Sequence, residues 1–69
     1  MYTFKDVALT MASKLDVSYS DALDLAEEFV QEAEYTYGYE IDPYNIEENQ
    51  LRDIVLLAHE ALSISGILV

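Results

Sequence analysis

Residues 18–38 read SYSDALDLAEEFVQEAEYTYG, and the architecture of the whole chain can be built outward from them. Their apolar residues recur at every third or fourth position, which is typical of one face of an α-helix. Ser18 can cap the first turn, Asp21 lies near the positive end of the helix dipole, and Gly38 suits the left-handed residue that ends a helix. These signals predict a helix over residues 19–37. Its apolar face consists of Ala22, Leu25, Ala26, Phe29, Val30 and Ala33.

The opposite face of this predicted helix is strongly acidic. At about 100° per residue its carboxylates fall on a broad arc that points away from Phe29 and Ala33, and no basic residue interrupts them. The arc consists of Asp21, Asp24, Glu27, Glu28, Glu32 and Glu34. Like charges three and four positions apart destabilise an isolated helix. Because this repulsion opposes the folded state, its presence suggests that the charge has a function.

Another helix is predicted before this one. Thr3 and Asp6 form a capping pattern, and an apolar stripe with helical spacing follows it. The stripe consists of Phe4, Val7, Ala8, Met11 and Leu15. The pattern predicts a helix over residues 4–15, joined to the next helix by a short turn.

A third helix is predicted over residues 46–63. Asn45 would cap it, and Pro43 capped by Asp42 is a competing start. This helix is the most apolar of the three, so we expect it to be central. Because short loops join the helices, the sequence predicts an all-α, compact three-helix bundle made of a single domain, residues 1–69.

The charge balance of the chain is extreme. Its 69 residues include 14 Asp and Glu but only 3 Lys and Arg, which gives a net charge of −11. Six Tyr and two Phe supply apolar content that acidic disordered tails lack, so we expect a folded domain.

The absence of Cys excludes disulfides and thiolate metal sites. Neither a signal-peptide pattern nor an apolar run of membrane length is present, which predicts a soluble, cytoplasmic protein that does not bind membranes.

Enzymatic chemistry finds no support in the sequence. His59 is the single histidine, and the run from His59 to Ser63 lacks the second histidine of the zinc-protease pattern. Two glycines cannot form a phosphate-binding loop, and the Glu-x-x-His pairs of a di-iron bundle are missing. We therefore expect no catalytic residue, no cofactor and no dedicated metal site. Lys5, Lys14 and Arg52 are too few for a nucleic-acid-binding patch, so direct binding to nucleic acid is not expected.

A regular row of carboxylates on a rigid helix can imitate part of a DNA phosphate backbone. We therefore expect the acidic arc to bind the basic DNA-binding surface of another protein and to compete with DNA. Acids around the second connector would extend the row, namely Glu40, Asp42, Glu47 and Glu48. Two alternatives stay open. One is an acidic surface that serves solubility or salt adaptation, and the other is a helical adaptor or antitoxin-like module that binds through Tyr and Leu contacts.

Aromatic and apolar residues offer a second kind of contact. Four tyrosines surround the second connector: Tyr35, Tyr37, Tyr39 and Tyr44. They either form an interface or close the end of the bundle. The chain also has more apolar surface than one small bundle readily covers, which favours a homodimer. The candidate dimer residues are Leu56, Ile64, Ile67, Leu68 and Val69.

Residues Asp6 to Ala33 resemble the N-terminal helical hairpin of HU-type nucleoid proteins. The resemblance is carried by residues 11–22, MASKLDVSYSDA, in which an alanine-bearing helix is followed by an apolar turn residue, a Ser cap and an Ala. HU-type proteins continue into a sheet with basic arms, whereas this chain continues into a third, acidic helix. The DNA binding of HU-type proteins is therefore not implied.

As a whole, the chain is small, free of Cys and very acidic, and in these respects it resembles phage-encoded DNA mimics and host-takeover inhibitors. Inhibitors of HU-type proteins and small anti-CRISPR and anti-restriction proteins belong to this class. The resemblance implies an inhibitor that occupies the DNA-binding surface of a host protein in the host cytoplasm.

Overall fold

The computed structural model describes residues 1–64, which form three α-helices. These are α1 (Phe4–Leu15), α2 (Tyr19–Tyr37) and α3 (Glu48–Ile64), and each packs against the other two. The predicted all-α three-helix architecture is confirmed, and the bounds of α1 and α2 agree with the predicted ones.

Local caps begin α1 and α2. The Thr3 backbone N–H donates to Asp6 Oδ2 at 2.8 Å, and the Asp6 N–H donates to Thr3 Oγ1 at 3.4 Å, which completes a capping box. Asp16 ends α1 in the left-handed region with a φ of 55°. Ser18 Oγ then accepts a hydrogen bond from the Asp21 N–H at 3.2 Å and caps α2. Both predicted caps are confirmed.

Gly38 ends α2. Its φ is 72°, and its N–H donates to the Glu34 carbonyl oxygen at 2.9 Å. A Cβ at this position would meet no atom within 4 Å, so the positive φ, and not a lack of space, explains the glycine.

The start of α3 differs from the predicted start because Ile46 pairs with the N-terminal segment. The Ile46 N–H donates to the Tyr2 carbonyl oxygen at 2.7 Å, and the Tyr2 N–H donates to the Ile46 carbonyl oxygen at 2.8 Å. This isolated antiparallel bridge uses the backbone groups of Ile46, so α3 begins at Glu48 and not at residue 46.

The connector before α3 forms a turn, and neither predicted cap operates. The Asn45 N–H donates to the Asp42 carbonyl oxygen at 3.0 Å, and the Tyr44 N–H donates to Asp42 Oδ1 at 2.9 Å. Asn45 therefore belongs to the turn, and the prediction that it caps α3 is wrong. The competing start at Pro43 is also wrong, because Pro43 lies inside this turn.

Most residues of the predicted apolar faces of α1 and α2 are buried in the core, and Phe4, Leu25 and Val30 are partly buried against it. Helices α1 and α2 each bury four residues, whereas α3 buries only two, so the expectation that α3 is central is wrong. Ile41 and Ile46 of the connector complete the core. The contact between α1 and α3 is the smallest of the three, and it leaves a groove between these helices. The core consists of Val7, Ala8, Met11, Leu15, Ala22, Ala26, Phe29, Ala33, Ile41, Ile46, Ile54 and Ala58.

Candidate functional site

The outer side of α2 carries five exposed carboxylates, which we call the acidic face. They are Asp21, Asp24, Glu27, Glu28 and Glu32. The face arises because the other side of α2 is apolar and buried, so the helical period turns the remaining positions to solvent. The buried residues are Ala22, Ala26, Phe29 and Ala33. Since these residues anchor α2 to the bundle, the backbone of the acidic face is held in one conformation.

The charge density of the acidic face is close to that of a single DNA strand. Asp21 and Glu32 bracket the face, which is about 16 Å long at about 1.5 Å per residue. Its carboxylates are on average about 4 Å apart along the helix axis, and the phosphates of one DNA strand follow each other at about 3.4 Å along the duplex axis. The two charge spacings are therefore similar.

The carboxylates of the acidic face have no partners in the part of the chain that the structure describes. None of the five side chains accepts a hydrogen bond or forms an ion pair there. Their negative charge is therefore not neutralised within the bundle, and it is available to a basic partner.

Glu34 differs from the other predicted members of the arc. Its side chain is half-buried, and its Oε2 accepts a hydrogen bond from the Ile41 N–H at 2.8 Å. The carboxylate thus ties the connector back to the end of α2. Sequence reasoning missed this role, although Glu34 lies one turn before the helix-ending Gly38, where the chain must fold back.

The four acids expected to extend the row occupy several different surroundings. Glu40 and Glu47 are exposed in the connector, and the Asp42 side chain is engaged in the turn with Tyr44. Glu48 lines the groove between α1 and α3, to which α2 contributes no residue. The structure therefore does not bring Glu48 together with the acidic face.

The connector tyrosines divide into two pairs. The rings of Tyr37 and Tyr39 stack with centroids 5.7 Å apart, and Tyr39 is half-buried against the core, whereas Tyr37 is 45% exposed. The Tyr39 hydroxyl donates to Asp53 Oδ2 at 3.1 Å. Burial, and then this hydrogen bond, raise the pKa of Tyr39 well above its usual value. Tyr35 and Tyr44 are 89% and 84% exposed, so they are available for contact.

Helices α1 and α3 enclose a groove of about 590 Å³, here called the α1–α3 groove. Half-buried Leu51 and Val55 and half-exposed Leu56 give it an apolar lining. Leu56, which the sequence suggested as a dimer contact, therefore lies in a recess between two helices. Of the other candidate dimer residues, Ile64 is exposed, and Ile67, Leu68 and Val69 lie outside the described residues, so the homodimer stays a prediction.

Basic side chains lie together in the same groove. Lys14 on α1 and Arg52 and His59 on α3 line it, although the chain has only three Lys and Arg and one His. None of the three forms an ion pair with another residue in the range 1–64. Glu48 is the one acidic residue of the lining. Sequence reasoning missed the groove because positions on α1 and α3 meet only after the bundle packs.

Within residues 1–64, no group of His, Asp and Glu is arranged to hold a metal ion, and no helix is both long and apolar enough to cross a membrane. Comparisons with protein families, curated proteins and solved structures find no match to this chain. The resemblances to the HU-type hairpin and to phage DNA mimics therefore stay predictions.

Proposed function

We propose that the protein inhibits a basic DNA-binding protein by covering its DNA-binding surface with the acidic face of α2. The observation that carries this proposal is the uninterrupted set of exposed carboxylates, which have no cationic partner in residues 1–64. An HU-type nucleoid protein is the proposed target, and a phage-encoded inhibitor in the host cytoplasm is the proposed setting. The protein acts by binding alone, without catalysis or a cofactor.

Two physical properties of the acidic face support such binding. The face is carried by a helix whose opposite side is buried, so little conformational entropy of the backbone is lost on association. The charge spacing is close to that of the phosphates which the target is built to bind. The same arginine and lysine side chains of the target could therefore bind either surface, which makes the protein a competitor of DNA.

The net charge of −11 also favours rapid association with a basic target. Opposite charges steer two proteins together over distances of about a Debye length, which is about 8 Å at physiological ionic strength. We therefore expect the affinity to fall steeply as salt is added, as the affinity of DNA itself does.

A competition assay tests the proposal. A purified HU-type protein is bound to a fluorescently labelled DNA duplex, and release of the duplex by the acidic protein is followed by anisotropy. We expect complete release at low salt. The double variant Asp24→Lys/Glu28→Lys should raise the half-inhibitory concentration by more than about tenfold, because it places two cations in the centre of the acidic face.

The matched control is Glu60→Lys. Glu60 is exposed on α3, outside the acidic face, and its reversal changes the net charge as much as Asp24→Lys does. We expect Glu60→Lys to change the inhibition by less than about twofold, since distant surface charges are largely screened. Equal effects of Asp24→Lys and Glu60→Lys would show that total charge, and not this face, governs binding. Failure to release DNA at any concentration would rule out HU-type proteins as the target.

The exposed rings of Tyr35 and Tyr44 favour one rival function, an adaptor that binds its partner through aromatic contacts. Salt separates the two functions. The protein is immobilised, partners are captured from a host lysate, and they are eluted with a salt gradient. Partners held by charge should elute at low salt, whereas partners held by apolar contacts should hardly respond to salt. Tyr35→Ser and Tyr44→Ser would weaken binding only in the second case.

A further inference from the structure

We propose that the α1–α3 groove is a second binding site, and that it takes an acidic amphipathic helix of a partner protein. The first observation is the sorting of charge. Two of the three Lys and Arg residues and the single His line this one groove, in a chain that has 14 acids. They are Lys14, Arg52 and His59, and none is paired with a carboxylate in residues 1–64. The groove is therefore the place where this acidic protein attracts negative charge.

The second observation is the apolar lining. Leu51 and Val55 lie one turn apart on α3, and Leu56 beside them is 50% exposed. An apolar strip between two helices matches the ridge of apolar side chains on an amphipathic helix, which recur at positions i, i+3, i+4 and i+7. The part of α3 that lines the groove runs from Glu48 to His59, about 16 Å or three helical turns.

The distribution of these basic side chains favours a helix over a ligand with a single charged head. Arg52 and His59 are about 10 Å apart along α3, and Lys14 lies on the opposite wall. A lone carboxylate could reach only one of them, whereas acids that flank the apolar ridge of a helix could form ion pairs with Lys14 and Arg52 and accept a hydrogen bond from a ring N–H of His59. The charge pattern also disfavours a second copy of this chain, since a symmetric contact through the groove would face Lys14 and Arg52 of each copy with a lining in which Glu48 is the one acid.

This site is separate from the acidic face, because no residue of α2 lines the groove. The inference therefore does not depend on the proposed capture of a basic protein. If both surfaces act, one molecule can hold a basic and an acidic partner together.

Synthetic peptides test the inference. The probe is a helical peptide with Leu at positions i, i+4 and i+7 and Glu on both flanks. One control peptide carries Lys in place of Glu, and the other carries Ser in place of Leu. With ¹⁵N-labelled protein at about 0.15 M ionic strength, where long-range repulsion is screened, the acidic probe should shift the amide signals of Leu51, Val55 and Leu56. Neither control peptide should do so at the same concentration.

Neutralising variants supply the second measurement. Lys14→Gln/Arg52→Gln should weaken binding of the acidic probe by about tenfold, as expected for the loss of two surface ion pairs. Lys5→Gln is the matched control for Lys14→Gln alone, because Lys5 is exposed on α1, does not line the groove and carries the same charge as Lys14. Lys5→Gln should have less than about a twofold effect.

Several outcomes would overturn the inference. Absence of groove shifts with the acidic probe would show that the groove binds no such helix. Equal binding of the Lys peptide would show that the cations do not select the ligand. Dodecanoate, an amphiphile with a single carboxylate, serves as the competitor. If it displaced the probe and bound more tightly, the groove would be assigned to amphiphiles with one charged head. Concentration-dependent shifts of the same amides in protein alone would assign it to a second copy of the chain.

Discussion

Glu34 shows how one side chain of the acidic helix has a structural role. Its carbonyl oxygen accepts from the Gly38 N–H and its carboxylate from the Ile41 N–H, so it holds the chain where α2 ends. Replacement by Ala leaves the N–H of the buried residue Ile41 without this acceptor. We expect Glu34→Ala to lower the free energy of unfolding by about 1–2 kcal/mol in urea denaturation, and Glu34→Gln to lower it less, because an amide oxygen can still accept.

Glu32→Ala is the control for this prediction. Glu32 lies on the same helix, is exposed and has no partner in the described residues, so its removal should change stability by no more than about 0.5 kcal/mol. If both substitutions had the same effect on unfolding, the hydrogen bond to Ile41 would contribute nothing.

The start of α3 depends on the pairing of Ile46 with Tyr2. Ile46 is fully buried, and its backbone exchanges two hydrogen bonds with the N-terminal segment. We expect Ile46→Ala to lower the free energy of unfolding by about 2–4 kcal/mol, and Ile46→Val by about 1 kcal/mol, in thermal or urea denaturation. The Val variant keeps the measurement possible if the Ala variant does not fold.

Asn45→Ala provides the comparison. A residue that caps α3 would cost about 1 kcal/mol on replacement, whereas exposed Asn45 in the turn should cost less than about 0.5 kcal/mol. A larger loss at Asn45 than at Ile46→Val would mean that the helix start is governed by a cap after all.

The whole molecule carries a net charge of −11 with no ion pair among the described residues that could offset it. This self-repulsion opposes the compact state, and salt screens it. We expect the melting temperature to rise when sodium chloride is increased from about 0.02 M to about 0.3 M. A gain of about 1 kcal/mol would raise it by roughly 4–8 °C in a domain of this size.

The Asp24→Lys/Glu28→Lys variant, whose net charge is −11 + 4 = −7, should respond less to the same salt increase. A melting temperature that falls as salt is added would contradict the repulsion argument. Salt should therefore strengthen the fold while it weakens capture of a basic partner, so the two effects can be told apart in one titration series.

Local signals predicted α1 and α2 correctly because their causes are local. The Thr3 and Ser18 caps act on residues three positions away, and Gly38 adopts a positive φ at its own position. The spacing of apolar residues that predicts each helix lies within that helix. For the same reason the acidic face of α2 could be identified from spacing alone. Composition alone likewise gives the net charge, and the net charge is the basis for expecting a basic partner.

Contacts between distant segments determined the rest, and no pattern of neighbouring residues encodes them. Pairing with Tyr2 moved the start of α3 from residue 46 to Glu48, since backbone groups that bond across the bundle cannot also begin a helix. Packing of α1 against α3 placed Lys14 beside Arg52 in one groove. Local hydrogen bonding and helical periodicity thus determine the helices and the acidic face, whereas the packing of the helices determines which surfaces lie together.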